Sequence, residues 1–159
     1  MFSLSNPLAL GDKLPSIIAL NQDAKPISFD EIFSQGVTLV YFYPKADTPG
    51  CTAEACSLRD GWEALRDLAG QKIQILGVSK DKPEAQKKFQ QKYQLPFDLI
   101  ADVDGKVAKA FGVPVIPIAG MSKRQSFLIQ EGKVIWSSLK AKTKEAAEEV
   151  LEALCAKIT

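Results

Sequence analysis

Two cysteines five residues apart, Cys51 and Cys56, are the side chains best suited to chemistry in this sequence. The first is preceded by Pro44-Lys45-Ala46-Asp47-Thr48-Pro49-Gly50, a polar stretch built from turn-forming residues. Residues 37–43 ahead of it are β-branched, aliphatic and aromatic without alternating polarity, so they read as a strand buried on both faces. The residues after Cys51 read as a helix. A thiol is thereby delivered to a helix N-terminus beyond the carboxyl end of a central strand. There the helix dipole favours an anion and a small substrate can reach the sulfur. The pair points to redox chemistry at sulfur. An inert, packed Cys51 would not need such flanks.

Cys56 adds a geometric condition. Five residues on an ideal helix turn about 500°, leaving the two side chains ~140° apart with a rise of ~7.5 Å. A disulfide needs Cα atoms roughly 4.4–6.8 Å apart. Both residues therefore cannot stay helical if they bond, and a bond would require the first turns of the helix to unwind. The sequence contains no histidine, which excludes Ser-His-Asp and Cys-His catalysis and any imidazole metal ligand. Two cysteines alone do not make a zinc site. Asp102-Val103-Asp104-Gly105 begins like a calcium loop but lacks the loop-end glutamate, and reads as a turn before a helix. Cys155, four residues after Leu151 on an apolar helix face, is expected to be a packing residue.

The elements that must position these thiols are legible from periodicity. Strands are expected over residues 16–20, 37–43, 73–78 and 99–101, with a hairpin of 126–130 and 133–138 turning at Glu131-Gly132. Helices are expected over 29–33, capped by Ser28, over 82–93 with Phe89 and Tyr93 inward, and over 106–111 ending at Gly112. From Thr52, apolar Ala55, Leu58, Trp62, Leu65 and Leu68 recur every three or four residues, predicting one helix that stops near Gly70. A last helix runs from a Thr143 cap to Ile158. Strands alternating with helices imply an α/β domain of three layers, with a mixed, largely parallel central sheet of thioredoxin-like layout. In such sheets ligands gather at the carboxyl ends of the strands.

At 159 residues the expectation is a single domain, residues 1–159, large enough to bury a core without disulfides or metal. Apolar residues make up 46% and charged residues 25%, and the net charge of +1 favours neither nucleic acid nor an anionic membrane. No apolar run approaches the ~18 residues needed to span a bilayer. The first residues lack a basic, apolar signal pattern, and three cysteines fit a reducing compartment. The expected location is the cytoplasm, or a plastid if a transit peptide has been removed. Lys80-Asp81-Lys82 and Lys87-Lys88 read as solvated faces.

The segment Tyr43-Pro44-Lys45-Ala46-Asp47-Thr48-Pro49-Gly50-Cys51-Thr52-Ala53-Glu54-Ala55-Cys56 resembles the active-site segment of peroxiredoxins, and in particular the peroxiredoxin Q or bacterioferritin comigratory protein group. Val78-Ser79-Lys80-Asp81, Leu95-Pro96-Phe97 and Arg124-Gln125-Ser126-Phe127-Leu128-Ile129 agree with it. The resemblance implies a thioredoxin-like fold and a thiol peroxidase acting on hydrogen peroxide and organic hydroperoxides, with no metal, flavin or haem. It implies Cys51 as the nucleophile that becomes a sulfenic acid, Cys56 as the resolving thiol, and thioredoxin or a glutaredoxin-like dithiol as reductant. The group is often monomeric, so a monomer is expected. The family's distant arginine falls on Arg124, with Arg59 and Arg66 as alternatives. Thr48 would accept a hydrogen bond from the peroxide and donate one to the thiolate, and Pro44 would shield the sulfur. The apolar segment 112–121 would border the site, either receiving alkyl groups or a partner, or simply packing as a loop.

The chemistry sets a quantitative demand. Bringing a thiol of pKa ~8.5 down to ~6 takes roughly 3.4 kcal/mol. A helix N-terminus supplies ~0.3–1 kcal/mol, whereas a guanidinium at ~4 Å supplies about 4 kcal/mol before screening. The cation should be the larger contribution. Full ionisation still gains only ~30-fold, so the rest must come from alignment of the peroxide and stabilisation of its departing oxygen. Two other readings of the thiol pair are a protein thiol–disulfide oxidoreductase, whose usual Cys-x-x-Cys spacing is absent, and a redox-sensing binding module.

Overall fold

The computed structural model describes residues 8–70, 72–116 and 119–158. Strand β3 (Thr38–Phe42) is the axis of the molecule, and all five of its residues are buried. Period-two alternation explains why. Leu39 and Tyr41 enter one core with Ile75, Leu99 and Leu128, and Val40 and Phe42 enter the other with Leu76, Val78, Ile100 and Phe127.

The flanking strands are β1 (Ile18–Asn21), β2 (Pro26–Ser28), β4 (Gln74–Ser79), β5 (Asp98–Ala101), β8 (Gln125–Gln130) and β9 (Lys133–Ser138). They form a seven-stranded sheet in the order β2-β1-β5-β4-β3-β8-β9. β3, β4 and β5 run parallel, with Tyr41 opposite Gly77 and Gly77 opposite Leu99, while β1 and β8 join antiparallel. Short strands β6 (Val115–Ile116) and β7 (Met121–Ser122) pair separately.

Helices cover both faces. On the first lie α2 (Pro49–Asp60), α3 (Trp62–Leu68), α4 (Pro83–Tyr93) and α6 (Ala146–Ile158), contributing Leu58, Leu65, Phe89, Val150 and Leu154. On the second lie α1 (Phe29–Phe33) and α5 (Lys106–Phe111), contributing Phe29, Phe33, Val107 and Phe111. This is the expected three-layer, mixed-sheet architecture. Among the described residues, no helix is long and apolar enough to cross a membrane.

Four local expectations are corrected. The single helix from Thr52 to Gly70 is two helices that begin three residues earlier and break at Gly61. A Cβ at Gly61 would come within 2.5 Å of the Ala147 Cβ, so the break is where α6 presses against the α2–α3 junction. The last helix starts at Ala146 rather than Thr143, and its Ala147 N–H donates to Ser57 Oγ of α2 at 3.0 Å. Cys155 is exposed rather than packed, because α6 buries Val150, Ala153 and Leu154 instead. Asp81 is not a solvated charge: its Oδ2 accepts from Ser79 Oγ at 2.6 Å and from Ala46 N–H at 2.8 Å. Asp102 does precede a helix, accepting from Val107 and Ala108 N–H at 2.9 Å each.

Candidate active site

Cys51 occupies the first turn of α2. Thr48 is the residue before that helix, extended at φ −96° and ψ 157°, and Pro49 opens it. Proline suits this position because its ring is pre-set for helix and the missing N–H would have had no partner. The loop leading in is held at several points. Asp47 takes a left-handed φ of 59°, and Asp81 anchors Ala46 from the end of β4. Tyr43 donates its hydroxyl to buried Gln86, whose Nε2 donates to Ser79 Oγ and to the Ile100 carbonyl, both at 2.9 Å. Burial raises the Tyr43 phenol far above its ordinary range, with the Ser79 and Gln86 contacts opposing, so it remains a hydrogen-bond donor.

Arg124 reaches this turn from the segment between β7 and β8. Its Nη2 donates to Cys51 Sγ at 3.3 Å, and its Nη1 donates to Glu54 Oε1 at 2.7 Å. A Cβ at Gly50 would lie 3.1 Å from that same Nη2, so glycine leaves the guanidinium room to approach. At 3.3 Å and an effective dielectric of ~20, a cation–anion pair is worth about 5 kcal/mol before screening, against ~0.3–1 kcal/mol from the helix end. Arg124 is thus the cation placed to face a charge on the sulfur. Cys51 is only 1% exposed, yet its surroundings carry a cation and the N-terminal backbone of a helix.

Glu54 is the residue that sequence reasoning passed over. It lies one turn after Cys51, on the same side of α2, and is 1% exposed. Burial pushes its carboxyl up to about 8, with Arg124 pulling the other way. Oε1 takes the guanidinium, while Oε2 is buried without a partner among the described residues. The readable signal was a glutamate three positions after Cys51 on one helix face, with Arg124 already expected beside that cysteine. Burial works against the Arg124 charge, but Glu54 and Cys51 hold it above its ordinary value.

The structure brings Cys51 and Arg124 together and leaves the alternative arginines elsewhere. Arg59 pairs with Asp60 and donates to the Tyr93 carbonyl at 2.8 Å, and Arg66 lies over the Trp62 ring. Thr48 Oγ1 donates to the Lys45 carbonyl at 2.8 Å. Its proton is therefore taken by the loop backbone rather than by the sulfur, leaving its lone pairs to accept. Pro44 lines a cavity of about 350 Å³ with Lys45, Lys80, Ala119, Gly120 and Met121, so part of the segment 112–121 borders the entrance loop. Pro117 and Ile118 of that segment lie outside the described residues. Cys56 is half-buried on α2, and no disulfide joins the cysteines. Among the described residues no cluster of His, Cys, Asp or Glu could hold a metal ion.

A thioredoxin-like α/β sheet with a guanidinium-paired cysteine on the first turn of the helix after β3 defines the class of thiol-redox proteins built on this fold. The AhpC/TSA family matches residues 10–137. The chain belongs to that family, and within it to the peroxiredoxin Q and Bcp group. It is 40% identical over 141 residues to a putative peroxiredoxin bcp of Coxiella burnetii, covering 84% of this chain and 91% of that one. The solved structure of peroxidoxin BcpB from Mycobacterium tuberculosis superposes with a TM-score of 0.85 at 29% identity, over 94% of this chain and 97% of that one. The bacterioferritin comigratory protein of Xanthomonas campestris, studied for alkyl peroxide reduction, superposes with a TM-score of 0.79 at 28% identity, covering 90% and 92% of the two chains.

Proposed function

We propose that the peroxidase reaction runs through Cys51 and that Arg124, Thr48, Pro44 and Cys56 divide the remaining work. The observation that carries this reading is the 3.3 Å contact between Arg124 Nη2 and Cys51 Sγ at the first turn of α2. The Cys51 thiolate attacks one oxygen of the peroxide. The O–O bond breaks, the sulfur becomes a sulfenic acid, and the other oxygen leaves as alkoxide or hydroxide and is protonated. Arg124 and the backbone N–H groups of Gly50 and Cys51 face the developing negative charge. Thr48 Oγ1, its own proton on Lys45, accepts a hydrogen bond from the peroxide and fixes its direction. Pro44 keeps bulk water from the sulfur.

Cys56 then attacks the sulfenic sulfur. An S–S bond forms, the S–O bond breaks, and water leaves with the Cys56 proton. Helical Cα atoms five residues apart lie about 8–9 Å from each other, so α2 must open locally for this step. Opening presents the disulfide to a dithiol reductant of the thioredoxin or glutaredoxin kind. The cysteine usage fits a reducing cytoplasm or plastid, and a monomer suffices for the chemistry, since Cys51, Glu54 and Arg124 meet within one chain. Substrates are hydrogen peroxide and organic hydroperoxides; the Xanthomonas relative was studied for alkyl peroxide reduction.

The test is a single-turnover oxidation with one equivalent of hydrogen peroxide, read by mass spectrometry after a thiol-blocking quench. The expected product is one Cys51–Cys56 bridge, with Cys51→Ser inert and Cys56→Ser stopping at sulfenic acid. Consumption of peroxide by Cys51→Ser at the wild-type rate would overturn the assignment.

A further inference from the structure

Helix α2 must open for Cys56 to reach Cys51, and both of its ends are fastened to the last turn of α4. Ahead of α2, Asp47 accepts from Lys92 Nζ at 2.9 and 3.2 Å and from the Tyr93 hydroxyl at 3.0 Å. At the other end, Arg59 Nη1 donates to the Tyr93 backbone carbonyl at 2.8 Å. That carbonyl belongs to the final turn of α4, where helix carbonyls have no partner within the helix, so the guanidinium satisfies it. The Tyr93 ring packs edge-on against buried Phe89 at 5.6 Å, and Lys92 Nζ lies 5.3 Å from the Tyr93 ring centre. One aromatic residue therefore touches the loop before the reactive turn and the tail of the helix carrying the second thiol.

We propose that Lys92 and Tyr93 form a clasp that sets how fast α2 opens after Cys51 is oxidised, and so how the sulfenic acid divides between disulfide formation and further oxidation. The inference rests on the assignment of Cys51 and Cys56 given above. Unwinding the first turn displaces Asp47 from Lys92 and Tyr93, and unwinding the second half displaces Arg59 from the Tyr93 carbonyl. Neither route spares the clasp. An exposed ion pair shifts such an equilibrium by a factor of about 1.5 to 5, and the phenol hydrogen bond adds a similar factor. A clasp of this strength delays opening without preventing it. While α2 is wound, a second peroxide can meet the sulfenic acid and oxidise it to sulfinic acid, with the peroxide reduced to water or alcohol. Lys92 and Tyr93 are positioning residues, since they act through Asp47 and the helix and touch no reacting atom.

The test uses the full chain with hydrogen peroxide in stopped flow. The two steps are followed by tryptophan fluorescence, since Trp62 opens α3 just past the Gly61 break after α2, and by mass spectrometry of quenched samples. Tyr93→Phe keeps the ring, and Lys92→Met keeps the aliphatic stem. In the double variant the first step is expected to hold its rate. Disulfide formation should quicken by about 3- to 10-fold, and the sulfinic fraction at excess peroxide should fall accordingly. Lys92→Arg should restore near wild-type behaviour. Raising salt should quicken disulfide formation in the wild type but not in Lys92→Met, a readout that needs no double variant. Unchanged disulfide rate and sulfinic fraction in the double variant, with a normal first step, would overturn the clasp alone. A wild type that consumes peroxide without ever forming the Cys51–Cys56 bridge would overturn the resolving role of Cys56, and the clasp with it.

Discussion

Cys51 and Cys56 share one helix and differ in almost everything that governs a thiol. Cys51 lies in the first turn, buried, with a guanidinium at 3.3 Å. Cys56 lies in the middle of the helix, half-buried, where the positive end of the dipole has faded. On the proposed reading, this difference lets one element hold a reactive and a waiting sulfur. The first is preorganised by a strand, a loop and an arginine from a distant segment. The second needs only a short tether to the first and a helix able to open. Position along the helix, more than residue type, divides the labour.

The comparison is broken most severely by removing the first sulfur. Cys51→Ser should lower peroxide turnover by at least about three orders of magnitude, measured with a dithiol regenerating system. Cys56→Ser should leave the first turnover near its wild-type rate while steady-state turnover falls by about tenfold or more and sulfinic acid accumulates at Cys51, read by mass spectrometry. Loss of the first turnover in this variant would show that the two thiols are not specialised as described.

Glu54 sharpens the contrast, because it belongs to the Cys51 turn alone. Its folded carboxyl is pushed up to about 8 from an ordinary 4.5. The folded state therefore keeps a proton that the unfolded chain releases, and the contribution of Glu54 to stability should be full below about pH 4.5 and decline as pH rises toward 8. Urea midpoints across this range should show the decline in wild type and a flatter profile in Glu54→Gln. The same variant should slow the peroxide step by about 3- to 10-fold, since an amide still accepts from Arg124 but alters how the guanidinium is held. The smallest effect is expected at exposed Cys155, where Cys155→Ser should leave both steps within about twofold.

Much of this arrangement could be read from the chain. The buried runs of β3 and β4, the hairpin of β8 and β9, and α5 with its glycine stop carry strong local patterns. The thiol pair was legible in its spacing and flanks, and Arg124 only through the resemblance of its segment to the peroxiredoxin one. What escaped reading was set by tertiary contact. The helix break at Gly61 exists because Ala147 packs there, and Ser57 caps α6 across space. Strands β2, β6 and β7 are two or three residues long, too short for periodicity to register. Asp81 looked solvated between two lysines, and only the fold shows it holding Ala46. Glu54 looked like an ordinary helix former until its burial beside Arg124 was seen.

The central claim is that Arg124 supplies most of the stabilisation at the Cys51 sulfur. It is tested most directly by the first-step rate constant of Arg124→Met, from stopped flow with hydrogen peroxide, alongside thermal unfolding to verify an intact fold. Removing one preorganised donor of this kind costs about 10²–10³ in rate, and that loss is expected here, with Arg124→Lys recovering only part because a single ammonium cannot span Cys51 and Glu54 as the fork does. A folded Arg124→Met that reacts with peroxide within about twofold of wild type would contradict the account.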